Sequence, residues 1–138
     1  FTLAHALNAS PVALCSYISE KFYTWTDNKG SLFSHINIDT MLANISLYWI
    51  TGCIGASFWP YYARHRSDWP IDIDNPITVP MGYSEFPKEI FSPPISLASQ
   101  FYKNILLWEK HNSGGHFAAM EKPKELASDV NKFVKDVI

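Results

Sequence analysis

Apolar residues recur at helical spacing through the first half of the chain. Leu14, Ile18, Phe22 and Trp25 repeat at intervals of four and three, which predicts an amphipathic helix. Ser10-Pro11 opens it: serine as N-cap, and proline at the first helical position, where its missing N–H costs nothing. The helix is predicted to end near Thr26-Asp27, before the breaker Asn28-Lys29-Gly30. Asp39 is an N-cap candidate for a second helix with Met41, Leu42, Ile45, Tyr48 and Trp49 on its apolar face, and Gly52 ends or interrupts it. A third helical stretch runs from Ile54 towards His65. Pro60 lies inside it and predicts a kink or a new start, because proline removes a donor and clashes with the preceding turn.

The pattern then changes. Arg66 to Pro76 reads as loop, and Ile77-Thr78-Val79-Pro80 as a short β-branched strand. A turn through Gly82 leads to Phe86-Pro87-Lys88-Glu89, which reads as the start of a short helix, and Ser92-Pro93-Pro94 breaks the chain again. Asn104 to Trp108 carries a continuous apolar run, the pattern of a parallel strand buried on both faces. Lys110 to Gly115 is a polar, glycine-rich loop. From Pro123 a last helix carries Leu126, Val130, Phe133 and Val137 on one stripe. The first half therefore reads as all helix, and the rest as the edge of a parallel α/β sheet.

Composition sharpens this in two ways. Charged residues make up 17% and aromatics 15% of the 138 residues, against a usual charged share of about 25%. A small domain has much surface for its core, so this balance predicts that part of the surface is covered by a partner, by further chain or by a ligand. The formal charge of −2 argues against a phosphate-binding basic protein. No apolar run is long enough to cross a membrane as a helix. The chain opens on Phe1 rather than Met, and the expectation is a processed chain or a piece of a longer protein. Cys15 and Cys53 lie in apolar helical surroundings and are expected to be buried free thiols.

His116 is the leading candidate for chemistry. It follows the apolar run after a short loop, behind Gly114-Gly115. Ligands of open α/β sheets bind beyond the carboxyl ends of strands, and a histidine there can act as a general base. Glu89 also follows an expected strand, and a carboxylate at histidine Nδ1 would orient the ring. Asp72, Asp74 and Glu85 compete with it, and spacing does not choose among them. His111 and His116 lie close together, but no further metal ligands stand nearby. Of the aromatic cluster Tyr48, Trp49, Phe58, Trp59, Tyr61 and Tyr62, the two adjacent tyrosines after Pro60 could turn one hydroxyl into a cavity.

Read together, these residues resemble the epoxide hydrolases of the α/β-hydrolase superfamily, in the branch of microsomal, fungal and juvenile-hormone enzymes. Gly114 to Pro123 is similar to that family's catalytic-histidine loop, and Val79 to Glu89 to the segment ending in its charge-relay acid. Tyr48-Trp49-Ile50-Thr51-Gly52, continuing to Tyr61, is similar to the lid stretch that carries one of two epoxide-polarising tyrosines. Ser10-Pro11-Val12, with Glu20-Lys21-Phe22 and Trp25-Thr26-Asp27, is similar to an earlier lid helix. The separations of 27 between Glu89 and His116 (116 − 89) and 13 between Tyr48 and Tyr61 (61 − 48) fit the family.

The resemblance implies an α/β fold: the C-terminal portion of an α/β-hydrolase, with residues 1–68 a helical lid segment and residues 69–138 the last two parallel strands and flanking helices. It implies His116, Glu89 and Tyr61 as catalytic residues, with Tyr62 the adjacent alternative to Tyr61. No aspartate here sits in a strand–elbow–helix context, so the nucleophile and oxyanion hole are expected from an N-terminal part of the same enzyme, and this chain alone is expected to be inactive. The implied reaction is hydrolysis of a small apolar epoxide to a vicinal diol through a covalent ester, without cofactor, metal or nucleic acid. A homodimer of the full enzyme is compatible with it. Relatives occur in the cytoplasm or on microsomal membranes, which leaves the location of this protein open. The alternatives are epoxide opening by cyclisation, dehalogenation, or a non-catalytic binding fragment.

Overall fold

The computed structural model describes residues 2–31, 35–67 and 71–138. The chain start at Phe1 and the expected segment boundary at 68/69 lie outside them. The chain divides into two compact units: Phe1–Thr24 with Asn28–Trp69, and Trp25–Asp27 with Pro70–Ile138.

The regular elements among the described residues of the first unit are all helices. Helix α1 (Thr2–Ala9) buries only Ala4 and Leu7. One pair three residues apart is too short a pattern to give this helix its own bounds, although the first half as a whole reads as helical. Helix α2 (Pro11–Trp25) starts as anticipated, with Ser10 Oγ accepting the Ala13 N–H at 3.2 Å, and it buries Leu14, Ile18 and Phe22. Helix α3 (Ile38–Thr51) is capped by Asn37, not Asp39. Asn37 takes the extended conformation an N-cap needs, and its Oδ1 accepts from the Asp39 N–H at 2.7 Å. Asp39 instead occupies the first turn, where the helix dipole favours an acid. Gly52 ends α3 in the left-handed region at φ 64°, a conformation that glycine adopts without a Cβ penalty. Helices α4 (Ile54–Ser57) and α5 (Trp59–Arg64) are separate, and Pro60 lies in the first turn of α5, so the proline marks a new start.

The second unit is built on two parallel strands, β1 (Met81–Glu85) and β2 (Ile105–Lys110), connected through helix α6 (Ile95–Phe101). Ile77 makes a lone bridge to Tyr102 and the strand comes later than expected, over Met81–Glu85. Gly82 is therefore a strand residue, not a turn. A Cβ on it would stand 3.0 Å from the ring of Phe133, so the missing side chain lets helix α8 (Pro123–Val137), which follows the short α7 (Ala118–Glu121), lie close against the strand. Phe86 to Glu89 is a turn closed by the Glu89 N–H on the Phe86 carbonyl at 3.1 Å, with Pro87 at the position a β-turn favours. It is not a helix, and α6 was not foreseen. Leu106 is 39% exposed, so β2 is not covered on both faces by this chain. The cysteines are free, and they are half-buried rather than buried. Among the described residues no single helix is long and apolar enough to cross a membrane.

Candidate active site

The parallel register brings the two leading candidates together. Glu85 pairs with Lys110 at the ends of the strands. Pairing resumes beyond them, where Lys88 bridges Gly115 and the Lys88 N–H donates to the Gly114 carbonyl at 3.0 Å. Each next residue then stands beside its counterpart, Glu89 beside His116. His116 Nδ1 lies 2.7 Å from Glu89 Oε1. An ionised carboxylate only accepts, so Nδ1 carries the proton and Nε2 keeps its lone pair. The same Oε1 accepts the Ile90 N–H at 2.7 Å, which fixes the carboxylate. The side chains are 38% and 29% exposed for His116 and Glu89, so the pair is reachable from outside.

The loop beneath His116 depends on its two glycines. Gly114 has φ +110°, and a Cβ there would meet Phe86 at 2.7 Å. A Cβ on Gly115 would stand 2.6 Å from the Trp25 carbonyl oxygen. That carbonyl accepts the His116 N–H at 2.9 Å. The Trp25 and Phe117 rings contact the imidazole edge-to-face, with centroids at 5.2 and 5.1 Å. Two acids that sequence reasoning did not single out complete the frame. Asp27 Oδ2 accepts the Gly114 N–H at 3.0 Å. The buried Glu121 accepts from the Phe117 N–H at 3.2 Å and from the Asp27 N–H at 2.8 Å. The visible signal was only their sequence proximity to the loop and to Trp25.

The competing acids are engaged elsewhere. Glu85 faces Lys110 Nζ at 3.0 Å and Trp108 Nε1 at 3.4 Å. The hydrogen bond from Lys110 holds its carboxyl below the usual range, against the partial burial that pushes it up. Asp72 caps its own turn, with Oδ1 accepting the Asn75 N–H at 2.5 Å, and Asp74 lies exposed in the same loop.

His111 belongs to a second cluster. Its Nε2 lies 2.6 Å from Asp129 Oδ2, which also accepts the Ser84 hydroxyl at 2.8 Å. His111 stacks on Phe86 with centroids 4.5 Å apart. Histidine and serine share one carboxylate oxygen, so the histidine is not placed to activate the serine. Asp129 is 3% exposed. Burial pushes its carboxyl up, but the hydrogen bonds from His111 and Ser84, with the charges of His111 and Lys132, outweigh this and hold it below the usual range. The two histidines thus have separate partners, and no group of metal ligands forms among the described residues.

Tyr61 lies in α5 of the first unit and is 66% exposed. Tyr62 beside it is more engaged, packing edge-on against Trp59 with the Arg66 guanidinium 3.7 Å above its ring. Of the two, Tyr61 is the one with its side chain clear of such contacts.

No family model matches the chain. It is 37% identical over 96% of its length to epoxide hydrolase 1 of Oryctolagus cuniculus, and 35% identical over 96% to epoxide hydrolase 1 of Sus scrofa. It covers 31% of each, so the chain spans about a third of the length of the curated relatives it matches. Among solved structures it matches the juvenile hormone epoxide hydrolase of the silkworm Bombyx mori with TM-score 0.86 and 30% identity, covering 98% of this chain and 34% of that one. An enantioselective mutant of the epoxide hydrolase from Aspergillus niger matches with TM-score 0.81 and 33% identity, over 98% and 33%. In sequence and in structure the chain matches epoxide hydrolases of the α/β-hydrolase fold, and corresponds to the C-terminal portion of that fold.

Proposed function

We propose that this chain supplies the water-activating half of an epoxide hydrolase. The observation that carries the reading is the 2.7 Å contact between His116 Nδ1 and Glu89 Oε1, which leaves Nε2 as the basic nitrogen. An aspartate carboxylate from the remainder of the enzyme attacks one epoxide carbon, and the C–O bond of the ring breaks. The leaving oxygen gathers negative charge and takes hydrogen bonds, then a proton, from tyrosine hydroxyls. Tyr61 is one of these, since a phenol stays neutral at pH 7 yet donates well. The product of this step is an ester between enzyme and substrate.

His116 Nε2 then removes a proton from water as the water oxygen bonds to the ester carbonyl carbon. Glu89 orients the ring and stabilises the imidazolium. The tetrahedral intermediate expels the diol oxygen, which takes the proton back from His116. The second proton of that water, left on the new carboxyl group, returns through solvent to the tyrosinate, so aspartate and tyrosine are both regenerated and a vicinal diol leaves. The balance of atoms closes with water as the only co-substrate, and the aromatic-rich helical segment suits an apolar epoxide.

The test is a single-turnover comparison of Glu89→Gln with the parent in the complete enzyme. The amide cannot balance the imidazolium, so ester hydrolysis slows by about 100-fold or more while ester formation is little changed. Equal slowing of both steps removes Glu89 from the role.

A further inference from the structure

We infer that Glu121 and Asp27 are positioning residues for His116, acting through the backbone of its loop rather than on substrate. The inference rests on the reading of His116 as the water-activating base. Three amides around that residue donate to one short stretch of chain and one buried carboxylate: Gly114 to Asp27, His116 to the Trp25 carbonyl, and Phe117 to Glu121. Glu121 also accepts the Asp27 N–H, so a single carboxylate ties residues 25–27 to the loop. Gly115 lies inside this frame, where a Cβ would be 2.6 Å from the Trp25 oxygen and 3.2 Å from Glu121 Oε1. The backbone on both sides of His116 is thus fixed. The only remaining freedom of the ring is its own rotation, and that is closed by Glu89 at 2.7 Å.

The two acids differ in a way that isosteric amides expose. Both Glu121 oxygens accept, each from a different N–H. A glutamine in its place offers one oxygen and one NH2, so in either orientation a donor faces a donor. Asp27 accepts through Oδ2, and an asparagine can turn its oxygen to that position. Acid-to-amide replacement therefore breaks the frame at Glu121 and preserves it at Asp27. Reacting groups displaced by about 1 Å lose roughly 100-fold in rate, so the effect falls on the step in which His116 takes a proton from the attacking water.

The experiment uses the complete enzyme with Glu121→Gln, Asp27→Ala and Asp27→Asn. Single-turnover kinetics separate ester formation from hydrolysis, and the Nδ1 proton of His116 is followed by NMR after histidine is labelled with nitrogen-15. In Glu121→Gln and Asp27→Ala the ester forms at the parental rate and hydrolyses about 10- to 100-fold more slowly, and the Nδ1 proton signal is lost. Asp27→Asn restores both rate and signal, and decides the matter if Glu121→Gln does not fold. Parental hydrolysis and an unchanged signal in Glu121→Gln and Asp27→Ala overturn the inference. So does equal loss of both chemical steps, which is the mark of a bracing role in stability alone. If His116→Gln hydrolyses the ester at the parental rate, the base assignment fails instead, and the Nδ1 signal in Glu121→Gln then decides by itself whether that acid positions the ring.

Discussion

Replacing Asp129 by alanine removes an acceptor that links two strands' ends in the second unit. Asp129 Oδ2 takes the Ser84 hydroxyl from β1 and faces His111 Nε2 beyond β2. A buried polar group left without a partner costs about 1–3 kcal/mol. The serine hydroxyl can rotate to another acceptor, whereas the His111 ring is held by its stack on Phe86, so the combined loss is about 2–4 kcal/mol. Hydrogen exchange reads this locally. The His111 amide, bonded to the Glu85 carbonyl, should lose roughly 30- to 900-fold of its protection, since 1.36 kcal/mol is a factor of ten. Asp129→Asn keeps an oxygen for both donors and retains most of the protection. Acid separates the two further. The folded-state carboxyl lies below its usual range, so its stabilisation is complete above an unfolded pKa of about 3.9 and fades as pH falls through the lower folded value. The parent should show this acid limb and Asp129→Asn should not. Protection in Asp129→Ala within about threefold of the parent at pH 7 refutes the reasoning.

Three further outcomes follow from the geometry. Gly115→Ala places a Cβ 2.6 Å from the Trp25 oxygen, so the His116 N–H loses its acceptor, and the cost is about 2–4 kcal/mol from overpacking and the lost bond; thermal unfolding and kcat should both fall, and an unchanged kcat speaks against the loop frame. Gly52→Ala meets open space, with nothing within 4 Å, so only its left-handed backbone at φ +64° is penalised; the expected cost is about 1 kcal/mol with activity intact, and a loss of several kcal/mol in a denaturation curve contradicts it. Gly82→Val presses on Phe133 at 3.0 Å and should cost about 1–3 kcal/mol as α8 lifts from β1, which exchange at the β1 amides would report.

What the sequence made legible follows from the range of the forces involved. The start of α2 was readable because its cap is local, Ser10 bonding Ala13. The stop of α3 was readable because Gly52 alone suits the left-handed position. The N-cap of α3 was misplaced by two residues, since Asn37 and Asp39 are both capping types and only the extended backbone of Asn37 decides between them. Strand β1 was misplaced for a different reason. Ile77 to Val79 has the better β composition, but pairing selected Met81–Glu85, where Gly82 admits the Phe133 ring. That choice is made by a residue far along the chain and leaves no local trace. The site divides in the same way. His116 and Glu89 stand out in the sequence by their residue types and by their resemblance to a known spacing, and the structure brings their side chains together. The register that explains the spacing, with Lys88 beside Gly115, appears only when the strands pair. Asp27 and Glu121 bind backbone amides, which any sequence supplies, so beyond lying in the two segments that carry the resemblance nothing marks them as a pair.

The expected excess of apolar surface has a physical counterpart. Leu106 of β2 stands half-exposed, on a two-stranded sheet whose chain matches about a third of its curated relatives. A strand flanked by a single neighbour retains unpaired backbone groups at its other edge. The proposed chemistry turns on His116. Its most direct test is the intact mass of the complete His116→Gln enzyme after brief exposure to a small apolar epoxide. Accumulation of protein heavier by one epoxide, persisting over many parental turnover times, is the predicted result. Full turnover to diol with no adduct contradicts the assignment.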